Sequence, residues 1–475
     1  MTDAPKTPNT TDGVDVVDEE PQDAESVADQ RRRVHEIWVS GTEERMPFAS
    51  TTDEGAQELL PRDEEPALDI QLGVTVEDDF VGPEMVIDDE RQIINMGPQH
   101  PATHGVLRLQ VELEGETVRR VKPIIGYLHT GMEKTAETLT YAQGSTNVTR
   151  MDYLSPFHNE LAYSLTVEQL LGIDVPKRAD AIRVLMTELN RVASHLLWAA
   201  TMGMDLGMVS MMIYGWRERE VCLDFFEKVT GLRMNHNYIR PGGVAADLPD
   251  GWEDDVVNLI EAVTIGIDEY AELMDENPIF LDRTMGVGVI TPGECKQFGV
   301  TGPIARGSGI DWDLRKAMPY SGIDAYEFEV PTGLHGDVND RYMVRMEEIR
   351  QSLHIAGQVL ETMPPGDYRN PDPKVTPPPR QRIDESMEAL IHHFKLFTSG
   401  IHVPEGTAYQ SVEGPRGEIG CYLVSKGGTR PWRMHWRAPS FAAVQALPAM
   451  MTDSLIADLI AALASTDPVL GDIDR

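Results

Sequence analysis

Cysteine is nearly absent: the 475 residues hold three, Cys222, Cys295 and Cys421, far apart and with no Cys-x-x-Cys pair. That excludes a disulfide framework, a zinc site or an iron–sulfur cluster built from this chain alone. No uninterrupted apolar run is long enough for a bilayer, and no basic-then-apolar leader opens the sequence. We therefore expect a soluble cytoplasmic chain that reaches a membrane only through partners. No Gly-x-Gly-x-x-Gly fingerprint is found, which places nucleotide binding elsewhere. Lysine is scarce too, with 10 residues against 31 arginines.

Acid fills the space that lysine leaves. The formal net charge is −37, and residues 1–90 alone carry 26 acidic and 6 basic side chains. Such a chain repels phosphate backbones, so nucleic acid is excluded as a partner. The acidity continues through the rest of the chain. With so little lysine it suggests a high-salt cytoplasm, where dense carboxylates stay hydrated and their repulsion is screened. A hydrophobic content of 41% is ordinary and leaves room for a large core in two or three domains.

Residues 1–35 are too polar to offset their ordering entropy and are expected to be disordered; residues 36–85 read as an extended segment along a neighbour. A globular domain is expected over 86–475: a β unit at 86–128, a helical core at 129–415 and a C-terminal α/β unit at 416–475. In the first, strands flank Gly97-Pro-Gln-His-Pro-Ala-Thr-His-Gly105, a turn stiffened by two prolines and bent by two glycines that presents His100 and His104. Helical spacing recurs from 157 to 172, from 180 to 197, over 252–275, from 342 to 363 and from 387 to 397, and the Met-rich run 202–212 is read as continuing into Arg217. Near the end, 417–424 and 431–436 read as strands, with helices from 441 and 452. The fold class is α+β, a helical-bundle core with small β units at both ends.

Gly97–Gly105, Gly126-Tyr-Leu-His-Thr-Gly-Met-Glu-Lys134 and Arg150-Met-Asp-Tyr-Leu-Ser155 together resemble the D-type, 49-kDa subunit of complex I, the NADH:quinone oxidoreductase. The likeness continues through Asn237–Gly243, Gly336–Tyr342, Thr376–Arg380, Arg437–Phe441 and Asp467–Arg475. The resemblance implies a distant likeness to the [NiFe]-hydrogenase large subunit, and a site shared with a B-type iron–sulfur subunit. It implies neighbours of the C, I and H type, and peripheral attachment to the cell membrane on its cytoplasmic side.

A quinone needs an apolar slot, a donor for each carbonyl and groups that resupply protons. The resemblance makes Tyr153 and His104 those donors and Asp205 the carboxylate that responds, here expected to hold His104. His100, Arg150 and His236 are expected near the quinone or near the neighbour's cluster. Many relatives carry a cluster-proximal histidine at the position of Asn235; here the histidine follows, as His236. The hydrogenase nickel motifs map onto Arg150–Ser155 and Asp467–Asp472, where Asp152, Ser155, Val469 and Asp472 replace thiolates. A soft nickel site needs those thiolates, so hydrogenase activity is excluded. Two alternatives stay open: another electron donor such as reduced coenzyme F420, or a scaffold without chemistry.

Overall fold

The computed structural model describes residues 91–475; the tail and extended segment expected over 1–35 and 36–85 lie outside the described residues. Strands β1 (Arg91–Met96), β2 (Arg108–Glu114) and β3 (Thr117–Ile124) form an antiparallel meander, with Met96 opposite Leu109 and Val111 opposite Val121. Leu109, Val111 and Leu113 alternate onto a buried face, the period-two pattern of a half-covered sheet. β2 starts later than the apolar run from Val106 suggested. The amides of Val106 and Leu107 bond back to the Thr103 carbonyl, which keeps both residues in the turn.

A helical bundle follows. Helix α1 (Pro156–Leu171) opens on a proline, whose missing N–H costs nothing there, and stops at Gly172 in the left-handed region at φ 64°. Helix α2 (Lys177–Asp205) is buried nearly all round, as a central helix must be, and α3 (Val209–Thr230) packs back along it. Two glycines make the approach close: a Cβ on Gly215 would lie 2.7 Å from that of Ala200, and one on Gly203 2.5 Å from that of Met211. The Met-rich run is therefore not continuous. It breaks at Leu206-Gly207-Met208, with Gly207 at φ 93°, and Asp205 becomes the last residue of α2. Helices α4 (Trp252–Met274) and α5 (Val338–Thr362) complete the bundle, and α6 (Met387–Thr398) lies outside it with no buried residue.

The second sheet holds β4 (Gly406–Gly414), β5 (Gly417–Ser425) and β6 (Arg433–Arg437) in that order. β4 was not expected, because polar Tyr409, Gln410 and Ser411 interrupt its apolar pattern. A boundary at 416 cuts its hairpin with β5. Helix α7 (Pro439–Met451), the two-residue strand β7 (Ser454–Leu455) and helix α8 (Ile456–Thr466) then return to the start, with β7 pairing on β3.

The buried residues gather into two cores. The larger joins α1–α5 to the β4–β6 sheet, and the smaller joins β1–β3 to α7, α8, Leu470 and Ile473. Each fully buried Leu or Val in either adds about 1.5–3 kcal/mol relative to exposure. Among the described residues, no helix is long and apolar enough to cross a membrane.

Candidate functional site

The segment between Arg150 and Ser155 lies where the two cores meet. Met151 is in the larger core, and its carbonyl oxygen would be 2.4 Å from a Cβ on Gly471, next to Leu470 of the smaller. The same Cβ would stand 3.0 Å from the Tyr153 ring. The ring is laid on bare backbone, and only glycine at 471 leaves room for it. Beneath it Asp152 is wholly buried. Its carboxylate accepts from Ser155 Oγ and from Arg416 Nη1 at 3.1 and 3.3 Å.

Arg416, in the turn between β4 and β5, ties the site together. Its Nε donates to the Asp467 carbonyl at 3.1 Å, and its Nη2 lies 3.0 Å from the Asp467 carboxylate. That last contact is an ion pair too poorly aligned to be a hydrogen bond, since Nη2 and Oδ2 both lack a well-directed partner. Asp472 is buried next to Asp152, and burial and that neighbour push its carboxyl up to about 7. Burial also raises Asp467, against the pull of Arg416 and Arg345. Three buried carboxylates therefore surround one guanidinium.

Tyr153 and His104 both feel this floor. Burial raises the phenol, with Asp152 and Asp467 pushing the same way and Arg416 opposing, so Tyr153 stays a donor at neutral pH. His104 sits in the left-handed region at φ 52°, just after the 3-10 turn Pro101–Thr103. Much of its surface meets solvent, yet the protein crowded round it lowers its pKa; Asp467 opposes that and Arg416 adds to it. The ring is open to contact from outside, and the lowered pKa leaves it neutral at pH 7.

Asp205 is placed differently from expectation. The imidazole near it is that of His100, while the carboxylate near His104 is Asp467. The 3-10 turn between the two histidines separates their surroundings. Burial raises Asp205, and the negative end of the α2 dipole adds to that push. His100 accepts from the Ala102 amide through Nδ1 at 3.2 Å, which leaves the proton on Nε2.

Arg150 is exposed, its guanidinium bound to the Thr146 carbonyl at 2.5 Å, and remains accessible to a partner. His236 is not. Its ring stacks on Phe157 at 4.0 Å and meets Phe226 edge-on, its Nε2 lies 3.0 Å from the Arg233 carbonyl, and burial lowers its pKa to about 4. Aromatic packing turns this histidine into the core. Arg416 and Gly471 escaped the sequence reading. A Pro-Arg-Gly turn and a glycine before an acid carry no local signal of a site.

Asp152, Ser155 and Asp472, positions onto which the hydrogenase motifs were mapped, come together beside the Arg416 guanidinium. Cys222, Cys295 and Cys421 are each buried and free. Among the described residues no His, Cys, Asp and Glu group is arranged for a metal ion.

Residues 205–475 match the family model described as respiratory-chain NADH dehydrogenase, 49 Kd subunit. The chain is 52% identical over 407 residues to the D 1 subunit of the NADH-quinone oxidoreductase of Salinispora arenicola, covering 82% of this chain and 92% of that protein. It is 49% identical over 407 residues to the D 2 subunit of the Roseiflexus sp. (strain RS-1) enzyme, covering 85% and 98%. Against the D-type subunit of Acidothermus cellulolyticus the identity is 52% over 404 residues, covering 81% and 92%. The chain belongs to the 49-kDa, or D-type, subunit family of complex I.

Proposed function

We propose that this subunit forms, with an iron–sulfur subunit of the B type, the quinone-reducing site of a respiratory NADH:quinone oxidoreductase. Subunits of the C, I and H type complete its surroundings, and the assembly holds it at the cytoplasmic face of the cell membrane. The observation that carries this reading is the shared floor: Tyr153 and His104, far apart in sequence, both lie within the field of Asp467 and Arg416. A pure scaffold has no need to bury three carboxylates under a phenol.

In this mechanism the cluster belongs to the neighbour, and exposed Arg150 is the side chain free to face it. The quinone accepts two electrons from that cluster and two protons from the protein. Tyr153 Oη donates a hydrogen bond to one carbonyl, and an imidazole N–H of His104 to the other. As negative charge grows on the quinone, the phenol releases its proton, and the imidazole takes one up and passes it on. The negative charge left on the Tyr153 phenolate changes the field at the hairpin tip, where His100 and Asp205 respond, and that change starts the signal that drives proton translocation. The acidic composition fits a high-salt cytoplasm. Reduced coenzyme F420 would serve the same site from a different upstream module.

The test is quinone reduction by membranes carrying Tyr153→Phe. Turnover should fall by roughly 100-fold or more, as for loss of a positioned acid, while the upstream donor still reduces the cluster. Undiminished turnover would remove Tyr153 from the site.

A further inference from the structure

Beneath Tyr153 the two longest-buried helix faces carry polar atoms that find no protein partner. On α2 these are Asn190 Oδ1, Arg191 Nη1, Ser194 Oγ and His195 Nδ1, spaced so that they form one stripe across successive turns. On α1 they are Asn159 Oδ1, Ser164 Oγ further along the helix, and both ring nitrogens of His158, a residue with no exposed surface. Buried polar groups are seldom left unpaired, and where the protein cannot satisfy them bound water does.

The seam has a head, a middle and a foot. At its head Asn159 Nδ2 donates to the Asp152 carbonyl at 2.9 Å and Asn190 Nδ2 to the Leu154 carbonyl at 3.1 Å, the carbonyls on either side of Tyr153. In the middle His158 faces Asn190 without closing a well-directed hydrogen bond, and Arg191, Arg315 and Arg416 approach it from α2, from the turn at 314–317 and from the β4–β5 turn. At the foot His195 Nε2 lies 2.9 Å from Glu348 on α5. Glu348 binds Arg306, whose Nη1 donates to the carbonyl of Trp312, a side chain open to solvent.

We propose that this seam holds a chain of bound water that returns protons to Tyr153, with His158 as the relay. The inference rests on the quinone-site reading above. When the phenol has given its proton to the reduced quinone, the adjacent water protonates the phenolate and is itself refilled by the N–H of His158. The other nitrogen of His158 takes a proton from the next water on the His195 side. One proton enters from solvent, one reaches Tyr153, and His158 ends in its other neutral tautomer. Burial first, and then the three arginines, hold His158 well below its usual pKa, so it passes a proton without storing it.

The experiment uses the assembled complex in membranes carrying His158→Phe or His158→Gln. Quinone reduction is followed against pH in H2O and in D2O, and donor-driven cluster reduction is the control. His158→Phe should slow turnover on the order of tenfold or more, with a larger solvent isotope effect and unchanged cluster reduction; His158→Gln should fall between. Turnover within about twofold of wild type, with the same pH profile and isotope effect, overturns the relay. If the Phe variant does not assemble, a high-resolution map of the wild-type complex decides. Water density in hydrogen-bond reach of His158 and Asn190 supports the seam, and a dry seam overturns it. Loss of activity in Tyr153→Phe but not in His158→Phe defeats the relay alone. No loss in either defeats the quinone site as well.

Discussion

Two buried charge networks lie side by side in this chain, and they are built on opposite principles. In the helical core, Arg306 and Arg315 bind Glu348, Asp313, Glu413 and Glu188 through hydrogen-bonded ion pairs at 2.7–2.9 Å. Glu348 and Glu188 are held below the usual carboxylate range and Asp313 is pulled down to about 2, although burial opposes all three; only Glu413 is raised, by burial. Under Tyr153 the balance reverses. Asp152, Asp467 and Asp472 share Arg416, and both Asp467 and Asp472 are pushed up. Each arginine of the first network is hydrogen-bonded to two carboxylates, and this direct pairing holds Glu348, Glu188 and Asp313 in the charged form. In the second, three carboxylates share one guanidinium, and burial makes Asp467 and Asp472 easier to protonate than a free carboxyl.

The largest expected effect falls on the first network. Glu348→Ala leaves Arg306 with Glu413 as its one directly bonded carboxylate and removes the partner of His195, and should destabilise the fold by roughly 3–5 kcal/mol, seen as poor incorporation into the complex. Because the folded pKa of Glu348 is depressed, its contribution is present above the ordinary glutamate range and is lost as pH falls through and below that range. Acid should therefore narrow the gap between wild type and variant in thermal melting of the complex.

Arg416→Met comes next. It leaves three carboxylates without their cation, so they take up protons instead of remaining charged, and the cost should be smaller, roughly 2–3 kcal/mol. Quinone turnover should fall while cluster reduction persists. A loss as large as that of Glu348→Ala would erase the distinction between the networks.

Asp472→Asn works in the other direction. The folded carboxyl is raised to about 7, so its contribution is greatest at acid pH, where both states hold the proton, and is lost as pH rises through that value. The variant should match wild type near pH 4 and exceed it by on the order of 1–3 kcal/mol at pH 8 in the same melting experiment. A variant less stable than wild type at pH 8 would show that the charged form is well held. The smallest effect belongs to the exposed pair Arg91–Glu112, 3.0 Å apart at the edge of β1. Arg91→Ala should change stability by less than about 1 kcal/mol, and less still in high salt.

Local grammar was readable along the chain. The proline–glycine turn at Gly97 and the helix that ends on Gly172 follow from near-neighbour sterics, capping and periodicity, whereas the helix read from 342 begins at Val338, behind its cap Asp337. The family was legible because its motifs are long and specific. The partner of each titratable group was not. That Asp205 meets His100, that His104 meets Asp467, and that His236 turns inward onto Phe157 depend on how two cores close on each other. Arg416 lies 264 residues from Asp152 along the chain, and no spacing rule spans that distance. Helices, turns and chemical inventory come from interactions within a few residues. The charge balance around Tyr153 exists only once burial removes the water that would otherwise screen it.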